Sequence, residues 1–158
     1  MEVEMAHNLH RDYERAGDAL SKTLRSLIER GRKVLAVDYA SALAGGAPLN
    51  AMLDAVFDEY DAILTPAAPG PAPRGLKTTG NPVFCTLWTY LGTPAVTLPL
   101  LVSEDGLPIG VQLVGRRGND ARLLRTANWL VKTLARGHAA AGKRRQTRAA
   151  ARRGTADD

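Results

Sequence analysis

The chain has 158 residues, of which 45% are hydrophobic, and this length suits one modest domain or a part of a larger one. A single cysteine, Cys85, excludes an intrachain disulfide, and no apolar run approaches the roughly 18 residues that a membrane span needs. Residues 1–135 balance 14 Lys and Arg against 14 Asp and Glu, so the net charge of +5 arises after Ala135.

The first third of the chain is predicted to be helical. Apolar side chains recur at three- and four-residue steps over residues 6–30, which predicts one long amphipathic helix. Asp38 is expected to cap a second helix over residues 38–43. The Gly-Gly-Ala-Pro stretch at 45–48 predicts an interruption, because glycine is flexible and proline lacks an amide donor. A helical pattern then resumes over residues 49–60.

The middle of the chain alternates short elements with turns. Residues 62–65 are apolar and partly β-branched, which predicts a buried strand. Five prolines in residues 66–82 predict a long irregular loop. Residues 83–91 fit either a helix or a strand, and the spacing of their aromatic residues favours a short helix that stops at a glycine. Residues 95–98 and 109–114 are predicted to be strands that can form a β-hairpin.

A last amphipathic helix is predicted to begin at Asn119 or Asp120. From Gly137 onward the sequence lacks large apolar side chains and is rich in Arg and Ala, which predicts disorder. The predicted organisation is therefore a body of residues 1–136 and a basic tail of residues 137–158.

The search for a catalytic site gives none. Cys85 has no histidine in a recognisable pairing pattern, and His7 and His10 share a helical face but lack a third metal ligand. No glycine cluster has the ending of a phosphate-binding loop. None of the serines lies in a Gly-rich elbow; they are Ser21, Ser26, Ser41 and Ser103. We therefore predict no catalytic residue, no metal site and no cofactor.

Four blocks of sequence occur in a fixed order. Residues 60–66 read Tyr-Asp-Ala-Ile-Leu-Thr-Pro, residues 79–80 read Thr-Gly, residues 91–99 read Leu-Gly-Thr-Pro-Ala-Val-Thr-Leu-Pro, and residues 106–115 read Gly-Leu-Pro-Ile-Gly-Val-Gln-Leu-Val-Gly. This order resembles the distal third of the amidase-signature family. The resemblance implies an α/β fold, the C-terminal part of a mixed sheet flanked by helices, which is incomplete on its own.

The residues of these blocks have expected structural roles. Pro66 and Pro99 are expected to close strands at the ends of the sheet. Gly110 is expected to permit a close approach of the backbone. Gln112 alternates with apolar neighbours and is expected to satisfy a buried polar partner.

The resemblance also implies amide C–N bond hydrolysis by a serine, a second serine in a cis peptide and a lysine. The family carries this triad in an upstream Gly/Ser-rich signature, which these 158 residues do not contain. The chain is thus expected to be a C-terminal fragment or subunit that is inactive alone. Joined by an upstream amidase segment, it would complete the sheet and one wall of the pocket for a small-molecule amide.

By the same analogy, the candidate substrate-binding residues lie in the loop and the short helix after it. Trp88 is the strongest candidate, because a large apolar surface suits an acyl group. Packing of the loop and helix is the alternative role. The candidates are Thr79, Pro82, Thr86, Trp88 and Thr89.

Two alternatives stay open at this point. A non-enzymatic protein whose basic tail binds nucleic acid or an acidic partner is one, but the tail has no aromatic residues and the body is neutral, which argues against nucleic acid. The other is a degraded gene product that does not fold stably. For the amidase interpretation, the sequence is equally compatible with one half of a split enzyme, a truncated gene product and a pseudoenzyme. The sequence predicts neither a signal peptide nor a membrane span, so the cytoplasm is the expected location.

Overall fold

The computed structural model describes residues 1–136, which form two compact units, one from Met1 to Met52 and one from Leu53 onward. The tail predicted to be disordered, residues 137–158, lies outside the described residues. No helix within residues 1–136 is long and apolar enough to cross a membrane.

The predicted single helix over residues 6–30 is wrong, because this stretch forms three helices. They are α1 (Glu2–Asn8), α2 (His10–Ala16) and α3 (Lys22–Gly31), with a 3-10 turn at Gly17–Ala19. Ser21 caps the N-terminus of α3, because its side-chain oxygen accepts a hydrogen bond from the Leu24 amide at 3.2 Å. The apolar periodicity continues through the breaks and therefore concealed them.

Helices α1 and α3 pack closely through Gly31. A Cβ atom at this position would overlap the main-chain oxygen of Glu2 and lie 3.0 Å from the Cβ of Ala6. Arg30 then clamps the same end of α1, because its guanidinium donates to both carboxylate oxygens of Glu2 at 3.2 and 2.7 Å. The first unit is thus held by a glycine contact beside a bidentate ion pair.

The next two helices begin earlier than predicted. Helix α4 covers Ala36–Ala44, so it starts before Asp38, and helix α5 covers Gly46–Glu59. The predicted interruption therefore shrinks to Gly45. Pro48 lies in the first turn of α5, where an amide has no acceptor within the helix and proline is tolerated.

The second unit contains a three-stranded antiparallel sheet in the order β1-β3-β2. Strand β1 is Ile63–Pro66, β2 is Ala95–Val102 and β3 is Pro108–Val114, and helix α6 (Val83–Leu91) lies between β1 and β2 in the chain. Residues 120–136 form the described part of a last helix, α7. The predicted hairpin is confirmed, with its turn at Gly106, whose φ is +79°.

Strand β2 does not end at Pro99 as predicted but continues to Val102. The pairing with β3 shifts between Leu98 and Leu101, which marks a bulge at the proline. Proline cannot donate to a ladder, and an edge strand with a bulge accommodates it. β2 is an edge strand among the described residues, which explains the continuation.

One face of the sheet packs on α7. Leu113 of β3 and Leu123 and Ala127 of α7 are 4%, 3% and 5% exposed and form the core cluster. Val96 and Leu98 of β2 pack against this cluster. The alternation of β3 therefore places Leu113 toward α7 and its neighbour Gln112 toward the other face.

Candidate functional site

The sequence-predicted site residues lie on the loop after β1 and on α6. The Asn81 side-chain oxygen accepts a hydrogen bond from the Val83 amide at 3.0 Å as α6 begins. The helix ends at Gly92, whose φ of +66° is a left-handed conformation that glycine adopts without strain. The predicted helix and its predicted stop are both confirmed.

Two threonines of the predicted set are exposed and bond to their own helix. The Thr86 hydroxyl donates to the carbonyl of Pro82 at 3.1 Å, and the Thr89 hydroxyl donates to the carbonyl of Cys85 at 2.9 Å. Pro82, Thr86 and Thr89 follow at steps of four and three residues and so share one face of the segment. Thr79 is exposed in the loop.

Trp88 lies on a different side of α6 from these threonines. It is half-buried, as is Phe84 one turn earlier, whereas Thr86 and Thr89 are exposed. Its carbonyl accepts a hydrogen bond from the Thr93 amide at 3.1 Å, which fixes the end of the helix. The structure thus brings the five candidates onto one continuous segment but on two faces of it.

A buried glutamine fastens this segment to the sheet. Gln112 is 4% exposed, and its side-chain amide donates to the Thr65 hydroxyl at 3.1 Å and to the Phe84 carbonyl at 3.0 Å. The Cys85 sulfur lies 3.9 Å from the Gln112 side-chain oxygen. The expected buried polar partner is therefore found, and the one residue joins β1, β3 and α6.

Gly110 lies on the same face two residues earlier. A Cβ atom there would overlap Cγ2 of Thr97 and lie 3.0 Å from Cβ of Ala67. The Ala67 amide donates to the Gly110 carbonyl at 3.1 Å, so the loop leaves β1 directly against this position. The expected close approach is confirmed, and it sets where the loop with the candidate residues begins.

An ion-pair cluster holds the far end of β3. The Nε atom of Arg116 lies 3.2 Å from a carboxylate oxygen of Asp54, and its guanidinium also bonds to Asp58. The hydrogen bond with Asp58 raises the pKa of Arg116 above its ordinary value. Arg122 bonds to Asp61 at 3.0 Å in the same way. Both arginines connect the region before β1 with the segment after β3.

Three of the four serines take part in local hydrogen bonds. Ser21 caps α3, Ser26 accepts from Arg30 at 3.1 Å, and Ser103 accepts from the Leu107 amide at 3.1 Å in the hairpin turn. Within residues 1–136, no group of three or more His, Cys, Asp or Glu side chains is arranged to hold a metal ion.

A family model described as Amidase matches residues 4–124. A glutamyl-tRNA(Gln) amidotransferase subunit of Synechococcus sp. (strain CC9902) is 40% identical over 82 residues, which cover 48% of this chain and 17% of that protein. A putative amidase, AmiB2, of Mycobacterium tuberculosis (strain ATCC 25618 / H37Rv) is 30% identical over 122 residues, which cover 70% of this chain and 26% of that protein.

Solved structures give the same result. A crystal structure of an amidase superposes with a TM-score of 0.74 at 27% identity, over 84% of this chain and 33% of that chain. A bacterial aryl acylamidase superposes with a TM-score of 0.54 at 18% identity, over 77% of this chain and 29% of that chain, which supports the fold alone. This chain spans about a quarter or less of the length of the curated relatives above.

Proposed function

Since this chain belongs to the amidase family, we propose that it is the C-terminal part of an amide C–N bond hydrolase. In this proposal it completes the sheet of that enzyme and contributes one wall of the substrate pocket. The main observation that supports this proposal is the superposition of 84% of this chain on 33% of a crystallised amidase. The similarity to a relative named as a putative amidase supports the same reaction class.

The catalytic groups of the proposed enzyme come from an upstream amidase segment, in the same polypeptide or in a separate one. The family resemblance implies a serine, a cis-peptide serine and a lysine in that segment. The serines of this chain support the division, because Ser21, Ser26 and Ser103 are engaged in capping and turn contacts. The chain alone is accordingly proposed to be inactive.

The proposed pocket wall is the segment that bears Thr79, Pro82, Thr86, Trp88 and Thr89. A wall must hold its side chains at fixed positions to orient a substrate. Two contacts support this role, since Gln112 ties the start of α6 to the sheet and Gly110 seats the start of the loop. The substrate class is a small-molecule amide, and the cytoplasm is the proposed location.

The alternative of a basic-tail binding protein rests on residues 137–158, which lie outside the described residues. No comparison supports it, and the match over residues 4–124 favours the amidase interpretation.

The test is reconstitution. The chain is assayed alone and together with the remaining part of the Mycobacterium tuberculosis putative amidase, from which the region matching this chain has been removed. A panel of aliphatic amides, anilides and peptide amides is used, and released amine or ammonia is measured. We expect turnover only when both parts are present, with the relative's part alone as the control. Turnover by this chain alone would refute the upstream triad.

A further inference from the structure

A groove with a volume of about 790 Å³ runs between β1 and α7. Leu113 of β3 and Leu130 of α7 form its floor, while Tyr60, Leu64 and Trp129 line its sides. The lining is mainly apolar, and the Arg122–Asp61 pair at the rim neutralises two of its charges.

The sides of this groove are large apolar groups in contact with water. Tyr60 and Leu64 are each 61% exposed and Trp129 is 63% exposed, whereas Leu113 beneath them is 4% exposed. Contiguous apolar surface with a polar rim is typical of a contact site for another protein segment, because its burial is favourable.

The outer edge of β1 borders the same groove and presents main-chain hydrogen-bonding groups that do not face β3. The Ala67 amide bonds to the Gly110 carbonyl at 3.1 Å, and the register pairs Thr65 with Gln112. Alternate residues of an antiparallel strand face opposite edges, so the N–H and C=O of Leu64 point away from β3. In the described part of the chain, β1 pairs with β3 alone.

We propose that the outer edge of β1 and this groove are the docking face for the upstream amidase segment, which adds a strand beside β1. This inference rests on the proposed function, since it requires that segment. The occupant follows from the superposition, which covers 33% of the crystallised amidase and leaves most of that fold beyond this chain. An added strand forms hydrogen bonds with the main-chain N–H and C=O of Leu64. The apolar side chains of that strand cover the side chains of Leu64 and Trp129.

The outer edge of β2 is the less suitable docking edge, because no residue of β2 lines the groove. The Gly115 amide bonds to the Pro94 carbonyl at 2.9 Å, so by alternation Thr97 and Pro99 face the outer edge. Pro99 has no amide donor to offer there, and by the same alternation Pro66 has none on the outer edge of β1. The β2 edge differs in its bulge between Leu98 and Leu101, which disturbs the spacing of its main-chain groups.

The experiment measures binding of this chain to the remaining part of the Mycobacterium tuberculosis putative amidase by calorimetry, alongside turnover. Trp129→Glu places a charge in the groove, and we expect it to weaken binding about tenfold or more. Leu124→Glu is the matched control, because Leu124 is 60% exposed on the same helix and does not line the groove. We expect it to change binding by less than about twofold.

A second pair of variants tests strand addition itself. Leu64→Pro removes an outward amide without removing a donor to β3, whereas Leu64→Ala removes the side chain alone. We expect the proline variant to bind more weakly than the alanine variant. Circular dichroism and thermal unfolding of each variant confirm that the fold is retained, and Trp129→Ser replaces Trp129→Glu if the latter unfolds.

The outcomes separate the two proposals. Wild-type binding and turnover with equal effects of Trp129→Glu and Leu124→Glu would overturn the docking face and leave the proposed function standing. No binding by the wild type would overturn both. A dimer in light scattering that Trp129→Glu converts to a monomer would identify a second copy as the occupant and likewise overturn the docking of the upstream segment.

Discussion

The side-chain amide of Gln112 donates a hydrogen bond to the main-chain oxygen of Phe84 at 3.0 Å, across 28 residues of sequence. The same nitrogen also reaches the Thr65 hydroxyl. One buried amide therefore sets the position of α6, which carries Trp88 and two of the other pocket-wall candidates.

Replacing Gln112 with leucine is expected to destabilise the fold. The substitution leaves the Thr65 hydroxyl and the Phe84 carbonyl without this donor, which costs roughly 1–3 kcal/mol in the free energy of unfolding. Urea unfolding measures the change. Asn128→Leu, at an exposed position of α7, is the control and is expected to have little effect. Equal destabilisation by the two variants would contradict the role of the buried amide.

Gly110→Ala is expected to cost about 1–3 kcal/mol, because the new methyl group overlaps Thr97 and crowds Ala67. Gly70→Ala is its control, since a Cβ at Gly70 meets no atom within 4 Å. Adding Thr97→Ser removes the Cγ2 atom and should restore part of the loss. The thermal unfolding midpoints of the three variants measure these changes in stability. A Gly110→Ala protein as stable as Gly70→Ala would disprove the steric argument.

The first unit is expected to lose stability in acid. Hydrogen bonds from Arg30 hold the pKa of Glu2 below its ordinary value of 4.5. A carboxyl with a lowered pKa stabilises the folded state above the unfolded pKa, and this contribution is lost as the pH falls through the folded pKa. The thermal midpoint should therefore fall below about pH 4.5.

Glu2→Gln should show a smaller acid-induced fall than the wild type, because it has already lost that contribution at neutral pH. Asp12→Asn removes an exposed carboxylate from the same unit and serves as the comparison. Parallel pH profiles for the wild type and Glu2→Gln would rule out the Arg30–Glu2 pair as the source.

Trp88→Ala is expected to raise the KM of the reconstituted enzyme about tenfold for amides with bulky acyl groups, through lost apolar contact. Amides of small acids should change less. Tyr90→Ala, on the same helix but outside the candidate set, is the matched control. If Trp88→Ala lowers stability and leaves KM unchanged for all amides, Trp88 packs within the fold and does not line the pocket.

Local sequence patterns predicted the structure correctly at positions where the conformation or burial demands one type of residue. Gly92 and Gly106 have φ values of +66° and +79°, and the sequence predicts both as stops or turns. Gln112 was expected to be buried with a partner because a polar residue in an apolar strand must be satisfied. Its partner Phe84 was not predictable, since only the fold brings α6 onto β3.

The incorrect helix predictions also arose because tertiary packing, which a local sequence pattern does not show, decides the structure. Apolar periodicity runs unbroken through Leu9, so it predicted one helix where tertiary packing of α1 on α3 favours three. Pro48 resembles a helix breaker in the sequence, yet it lies in the first turn of α5, where the main chain needs no amide donor. Trp129 falls outside the buried stripe of α7, and sequence alone did not indicate that it borders a groove.

The strand order has a consequence for how the chain is made. β3 is last of the three strands to leave a ribosome, yet it lies between the other two. β1 and β2 do not pair with each other, so each waits for β3 before its ladder forms. A nascent chain that ends before residue 108 would have none of the sheet, whereas a few more codons supply both ladders and Gln112 together.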